Sequence, residues 1–242
     1  MKTELAQWIQ TEIRKATDAK SKRFWNNYLK NEIEFVGVGI PKIRAILKKE
    51  FKSLPTPTSE ILFEESRKLM QSPIAEDKLA AIVLLELNLQ RLESDQLLAW
   101  TESIFQDKLI FDWNTCDWLC VKLLTPLVDN GNKSTLQRIL SWSEMKYLWH
   151  ARAALVPFAQ TKNLEKHVTQ MNQHMITLIQ RPERFSKTAV GWVLREISKF
   201  DKDFVVKFLN VQKSHLTSEI IDNSLKYSSK EDRNLLKAKI KL

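Results

Sequence analysis

The chain has 242 residues, of which 43% are hydrophobic, enough apolar material for one large domain or a short repeat array. Four Gly and seven Pro are too few for the many tight turns of a sandwich or barrel, so the expected class is all-α. Thirty-eight Lys and Arg against 29 Asp and Glu leave a formal charge of +9 and a pI near 9.4, a surplus that favours polyanionic partners.

Taken in order, the apolar spacing predicts helices over 3–17, 21–35, 41–53, 58–71, 75–91, 94–106, 113–128, 133–142, 147–160, 163–179, 184–199, 202–210, 213–227 and 231–240. Gly37 and Gly39 ahead of Pro41, then Pro55 and Pro57, Asn130-Gly131 and Pro182 mark breaks between them. Pro126 and Pro157 fall late in their helices and are expected to kink or end them. No long Gly/Ser linker divides the sequence, so a single domain over 1–242 is expected. The opening MKTELAQWIQTEIRK mixes charges and lacks the apolar core of a signal peptide, and no run approaches the roughly 18 apolar residues of a membrane span. Cys116 and Cys120 stand four apart in one predicted helix, without the further ligands a metal site needs. Two buried thiols in a reducing cytoplasm, with no metal and no membrane partner, are the expectation.

A repeat emerges from four segments. DKLAAIVLLEL (77–87), WNTCDWLCVKL (113–123), WHARAALVPFA (149–159) and FSKTAVGWVLR (185–195) start 36 residues apart each time. Each interval holds a helix, a turn and a second helix, the plan of a HEAT-like helical repeat solenoid with a concave binding face. Trp113, Trp149 and Phe185 put an aromatic at the same place in three of the segments.

That register selects candidate residues. Trp113 and Asp117 are four apart and share a helix face, Arg152 follows in the next segment, and Trp192 in the one after. In a stacked array, near-equivalent positions converge on one groove. Indoles hold a cationic ring or a sugar, a carboxylate balances developing positive charge, and a guanidinium grips a phosphate in bidentate fashion. Plainer roles fit the same residues: a core Trp, a solvated or capping Asp, or an inter-repeat salt bridge by Arg152 beside Ala153 and Ala154. The sequence has no P-loop, GxGxxG, HExxH or GxSxG motif, and His150, His167, His174 and His215 are scattered. Any catalysis here works by electrostatics and positioning.

Four stretches resemble the bacterial DNA alkylation repair glycosylases of the AlkD type. They are NNYLKNEIEFVGVGIPKIR (26–44), DWNTCDWLC (112–120), YLWHARAAL (147–155) and KTAVGWVLREISK (187–199), and the similarity extends over nearly the whole chain. The resemblance implies catalytic roles for Asp117, Trp113, Trp192 and Arg152; Tyr28, Lys30 and Arg195 also match it and, together with the basic Lys187, are expected to contact DNA. It implies a monofunctional enzyme without a cofactor, acting as a monomer on double-stranded DNA. Such an enzyme hydrolyses the N-glycosidic bond of N3- and N7-alkylated purines without full base flipping. Two positions depart from the family pattern: Asp112 stands where a Trp is common, and Ala151 where a polar residue is.

Two other readings compete. One is a non-catalytic chain of the same fold that binds branched or distorted DNA; the other is a protein-interaction scaffold. A DNA-processing role predicts that the surplus Lys and Arg, Lys187 and Arg195 among them, line the concave groove.

Overall fold

The computed structural model describes residues 5–50 and 57–240. The start of the first predicted helix (3 and 4), the end of the third (51–53) and the Pro55 break lie outside the described residues. Helices account for nearly all the regular structure, as the composition predicts; among the described residues there is no strand, only one bridge between Glu34 and Ile74.

The chain divides into two compact units, one up to Leu123 and one from Leu124 onward. The first contains α1 (Leu5–Lys15), α2 (Ala19–Tyr28), α3 (Ile40–Glu50), α4 (Ser59–Met70), α5 (Ala75–Glu86), α6 (Ser94–Gln106) and α7 (Trp113–Leu119). The second contains α8 (Thr125–Asn130), α9 (Lys133–Ser141), α10 (Leu148–Arg152), α11 (Val168–Gln180) and α12 (Arg184–Ile197). It continues through α13 (Lys202–Val211), α14 (Ser218–Ser224) and α15 (Lys230–Ile240).

Local chemistry explains the helix starts. Asp18, Thr58, Asp112, Asn132, Asp201 and Thr217 precede α2, α4, α7, α9, α13 and α14, and each side chain accepts an otherwise unpaired N–H of the first turn.

In the first unit α5 is buried on every side from Ala75 to Leu85, consistent with its nearly continuous apolar run, and α1, α3, α4 and α7 pack around it. Its acidic first turn is not solvated. Glu76 accepts the N–H groups of Val36, Gly37 and Val38 at 3.0, 2.7 and 3.0 Å, and Asp77 receives a bidentate bond from Arg14 at 2.8 and 2.6 Å. In the second unit α12 is central, with α10, α11, α13 and α14 against it.

Repeat spacing appears within each unit. The second helices of successive pairs begin at Ala75, Trp113, Leu148 and Arg184, intervals of 38, 35 and 36 residues. In the first unit α4 packs on α6 and α5 on α7; in the second α9 packs on α11 and α10 on α12. Bonds one repeat long tie them: Arg67 to Ser103 at 2.9 Å and to Asp107, and Arg181 to the Met145 and Lys146 carbonyls at 2.7 and 3.0 Å.

Six predicted helices differ in the structure. Those expected over 75–91, 163–179 and 213–227 are each a shorter α-helix with a separate 3₁₀ turn, Leu89–Arg91, Leu164–Lys166 and Lys213–His215. The one expected over 21–35 ends at Tyr28, because Lys30 and Asn31 take left-handed φ values of 53° and 58°. The one expected over 147–160 is the single turn of α10 followed by a 3₁₀ stretch, Val156–Gln160, with Pro157 in its first turn. In the one expected over 113–128, α7 gives way to a π-helical stretch, Cys120–Leu124, and Pro126 sits in the first turn of α8, where its missing N–H leaves no bond broken.

Candidate nucleic-acid and catalytic site

Helix α7 carries the first two candidate residues. Asn114, Thr115, Cys116 and Leu119 are buried, so the positions left partly accessible are Trp113, Asp117 and Trp118. Trp113 and Asp117 are one turn apart on that face. The turn is anchored by Asp112, which is fully buried and accepts both the N–H and the hydroxyl of Thr115, at 2.9 and 2.6 Å. The departure at Asp112 therefore falls on a capping residue beneath the face. Burial raises its carboxyl above the usual range, while the bonds from Thr115 and the charge of Lys78 pull it back.

Lys78 is an internal cation of α5. Its ammonium donates to the carbonyls of Met70 and Leu109, the second at 2.7 Å, and lies 5.1 Å from the centre of the Phe111 ring. Burial pushes it down to about 8. It fixes the chain just ahead of α7 and so helps place Trp113.

Tyr28 approaches the same face from α2. Its ring meets Trp113 edge-on, centroids 5.8 Å apart. Beside it lie Phe24, stacked on Tyr28 at 5.9 Å, and Trp25, edge-on to Tyr28 at 5.8 Å and stacked on Phe35 at 5.7 Å. Lys30 is exposed two residues beyond Tyr28, in the left-handed turn. The first unit thus gathers Tyr28, Trp113 and Asp117, with Lys30 at the margin. Phe24 and Trp25 were not singled out from the sequence, although RFWNNY, with aromatics interleaved among a cation and amides, is the signal that marks them.

In the second unit, Arg152 closes α10 and is 4% exposed. Its Nη1 donates to the Phe185 carbonyl at 2.6 Å and the Thr188 hydroxyl at 3.1 Å, both on α12. It therefore links two repeats through a carbonyl and a hydroxyl. The neighbouring departure, Ala151, is buried against that packing.

The accessible stripe of α12 runs through Phe185, Thr188, Trp192 and Arg195 at helical spacing. The Arg195 guanidinium carbon is 5.7 Å from the centre of the Trp192 ring, and its nitrogens pair with Glu196 at 2.7 and 2.8 Å. The indole N–H of Trp192 is buried and meets no acceptor. Gly191 lets α14 approach: a Cβ there would stand 3.3 Å from the Asn223 amide and 3.5 Å from Ile220. Lys187 donates to the His215 carbonyl at 2.6 Å, so its charge is drawn onto the protein. The second unit therefore gathers Arg152, Trp192 and Arg195 around α12, with Lys187 directed to the turn before α14.

Among the described residues no group of three or more His, Cys, Asp or Glu is placed to hold a metal ion, and no helix is long and apolar enough to cross a membrane. Cys116 and Cys120 are buried and form no disulfide.

Comparison with known proteins adds a family. The family model described as DNA alkylation repair enzyme matches residues 9–228. Among solved structures, a predicted DNA alkylation repair enzyme from Enterococcus faecalis aligns with a TM-score of 0.70 at 22% identity, covering 88% of this chain and 97% of its own. That likeness is one of fold. No curated protein sequence matches the chain.

Proposed function

The chain belongs to the DNA alkylation repair enzyme family, and on that premise we propose that it is a monofunctional glycosylase, releasing N3- and N7-alkylated purines from duplex DNA without full extrusion of the base. The observation that carries this reading is the composition of the accessible face of α7: an indole, a carboxylate one turn away, and a second indole, over an otherwise buried helix.

The chemistry asks little of the protein. Alkylation at N3 or N7 makes the purine cationic, so it departs with the glycosidic electron pair as a neutral base and needs no general acid. Departure leaves an oxocarbenium-like deoxyribose. Asp117 balances that charge and orients the water that adds to C1′, with one proton released to solvent and an abasic site left behind. Trp113 and Trp192 each offer the accessible face of an indole to the sugar and backbone of the DNA. Arg152, held in register by Phe185 and Thr188, contributes positive charge toward a phosphate or the attacking water. Tyr28 and Lys30 contact the strand beside Trp113, and Arg195 supports Trp192.

The test is single-turnover base release from methylated duplex DNA by wild type and Asp117→Asn. Removing a preorganised carboxylate is expected to slow release by about a hundredfold or more while leaving DNA affinity nearly intact. Equal rates would remove Asp117 from the mechanism, and no release by wild type would favour a non-catalytic DNA-binding role.

A further inference from the structure

Helix α2 has no buried residue, yet carries three aromatic side chains in its last five positions. Trp25 has a packing partner in Phe35. Phe24 and Tyr28 are different: they are 59% and 57% exposed, one turn apart, with rings inclined by only 7°. Leaving two large rings in water forgoes the stabilisation their burial would bring. From Phe24 the aromatic line runs through Tyr28 to Trp113, on the helix that bears Asp117.

The surroundings are cationic. Lys20 and Arg23 are exposed on α2, and with Ala19, Phe24 and Asn27 they line a hollow of about 450 Å³. Lys30 is exposed just beyond the helix, and the nearby Glu34 is paired with Lys22 at 3.0 Å. A flat aromatic face bordered by cations matches a nucleotide, which offers a π-face and a phosphate together. Within a duplex both faces of each base are covered by neighbours, so the matching occupant is an unstacked one.

We infer that Phe24 and Tyr28 form a stacking platform for an unpaired nucleotide of the DNA, with Arg23 and Lys20 on its phosphates. This rests on the reading above that the chain acts on DNA at Trp113, and adds to it a contact for a nucleotide displaced near the lesion.

The test uses the full chain and fluorescence polarisation with two undamaged duplexes, one fully paired and one carrying a single unpaired nucleotide. Wild type is expected to bind the second more tightly. Phe24→Ala and Phe24→Leu each lower that affinity by roughly tenfold while barely changing the paired duplex, and Phe24→Trp restores it. Loss of the preference in both ring-less variants supports the platform even if one of them is poorly folded. Equal binding of the two duplexes by wild type, or equal weakening of both by the variants, overturns it. So does concentration-dependent self-association that is lost on Phe24→Ala without any nucleotide preference, since the rings then seat a second copy of the chain. Because these duplexes are undamaged, base release from methylated DNA is a separate readout. Its absence in wild type defeats the glycosylase reading, and a missing nucleotide preference beside normal release defeats only the platform.

Discussion

Gly37 holds a place that no side chain can share. Its φ is +94°, and a Cβ would stand 2.1 Å from the Asp18 carbonyl oxygen and 2.7 Å from the Lys22 nitrogen, both backbone atoms of the α2 start. Neither can swing away as a side chain would. Gly37→Ala is expected to cost about 3 kcal/mol or more in urea unfolding, from strain and displaced backbone together. A loss under about 1 kcal/mol would mean that the start of α2 gives way to the new Cβ at little cost, although Glu76 holds Gly37 in place. Arg152 joins stability to function. Removing it leaves the part-buried Phe185 carbonyl without one of its donors and empties a nearly fully buried position, so Arg152→Ala is expected to destabilise by about 1–3 kcal/mol. It also flattens the salt dependence of DNA binding by about one phosphate's worth. An unchanged slope beside a lowered stability would assign Arg152 to the repeat interface alone. Trp113, Asp117, Arg152 and Trp192 were readable as candidates from spacing and resemblance. The bonds from Arg152 to Phe185 and Thr188 were not, because a guanidinium reaching a carbonyl 33 residues away leaves no periodic trace.

At the scale of elements, the helical period located nearly every helix, and the errors at 21–35 and 147–160 share a cause. Periodicity continues through residues that are apolar for another reason. Ile33, Phe35, Val36 and Val38 are buried in an irregular segment held by Glu76, so their spacing extends the pattern of α2 past its end. Ala153 to Ala159 are likewise all buried, though α10 has already ended at Arg152. Helix α5 poses the opposite problem. Its apolar run was plain, but the burial of Lys78 within it depends on two distant carbonyls and the Phe111 ring. That lysine makes a pH prediction. Folding lowers it to about 8, whereas the unfolded chain keeps the proton to the ordinary lysine value of about 10.4. Between those values the unfolded state binds more protons, so this group's contribution to stability rises with pH. The difference in unfolding free energy between wild type and Lys78→Met is expected to move in favour of wild type as pH goes from about 8 to about 10. A flat or falling difference would mean that the buried ammonium keeps its proton throughout.

Over the whole molecule, the surplus of nine positive charges gives the electrostatic term for binding a polyanion, and the family membership gives the kind of polyanion. The charge is not spread evenly in its effect. Lys187 and Arg195 are drawn onto His215 and Glu196, while Lys20, Arg23 and Lys30 are exposed beside the aromatic line of the first unit. Composition reveals the surplus and conceals this partition, because the paired and exposed cations count alike in a sequence. The most direct measurement is mass spectrometry of what leaves methylated duplex DNA when the protein is added. If Asp117 balances an oxocarbenium-like sugar, the released species is the intact methylated purine and the strand keeps an abasic site. Release of the methyl group alone, with the purine still attached to the sugar, would contradict glycosidic hydrolysis at this site.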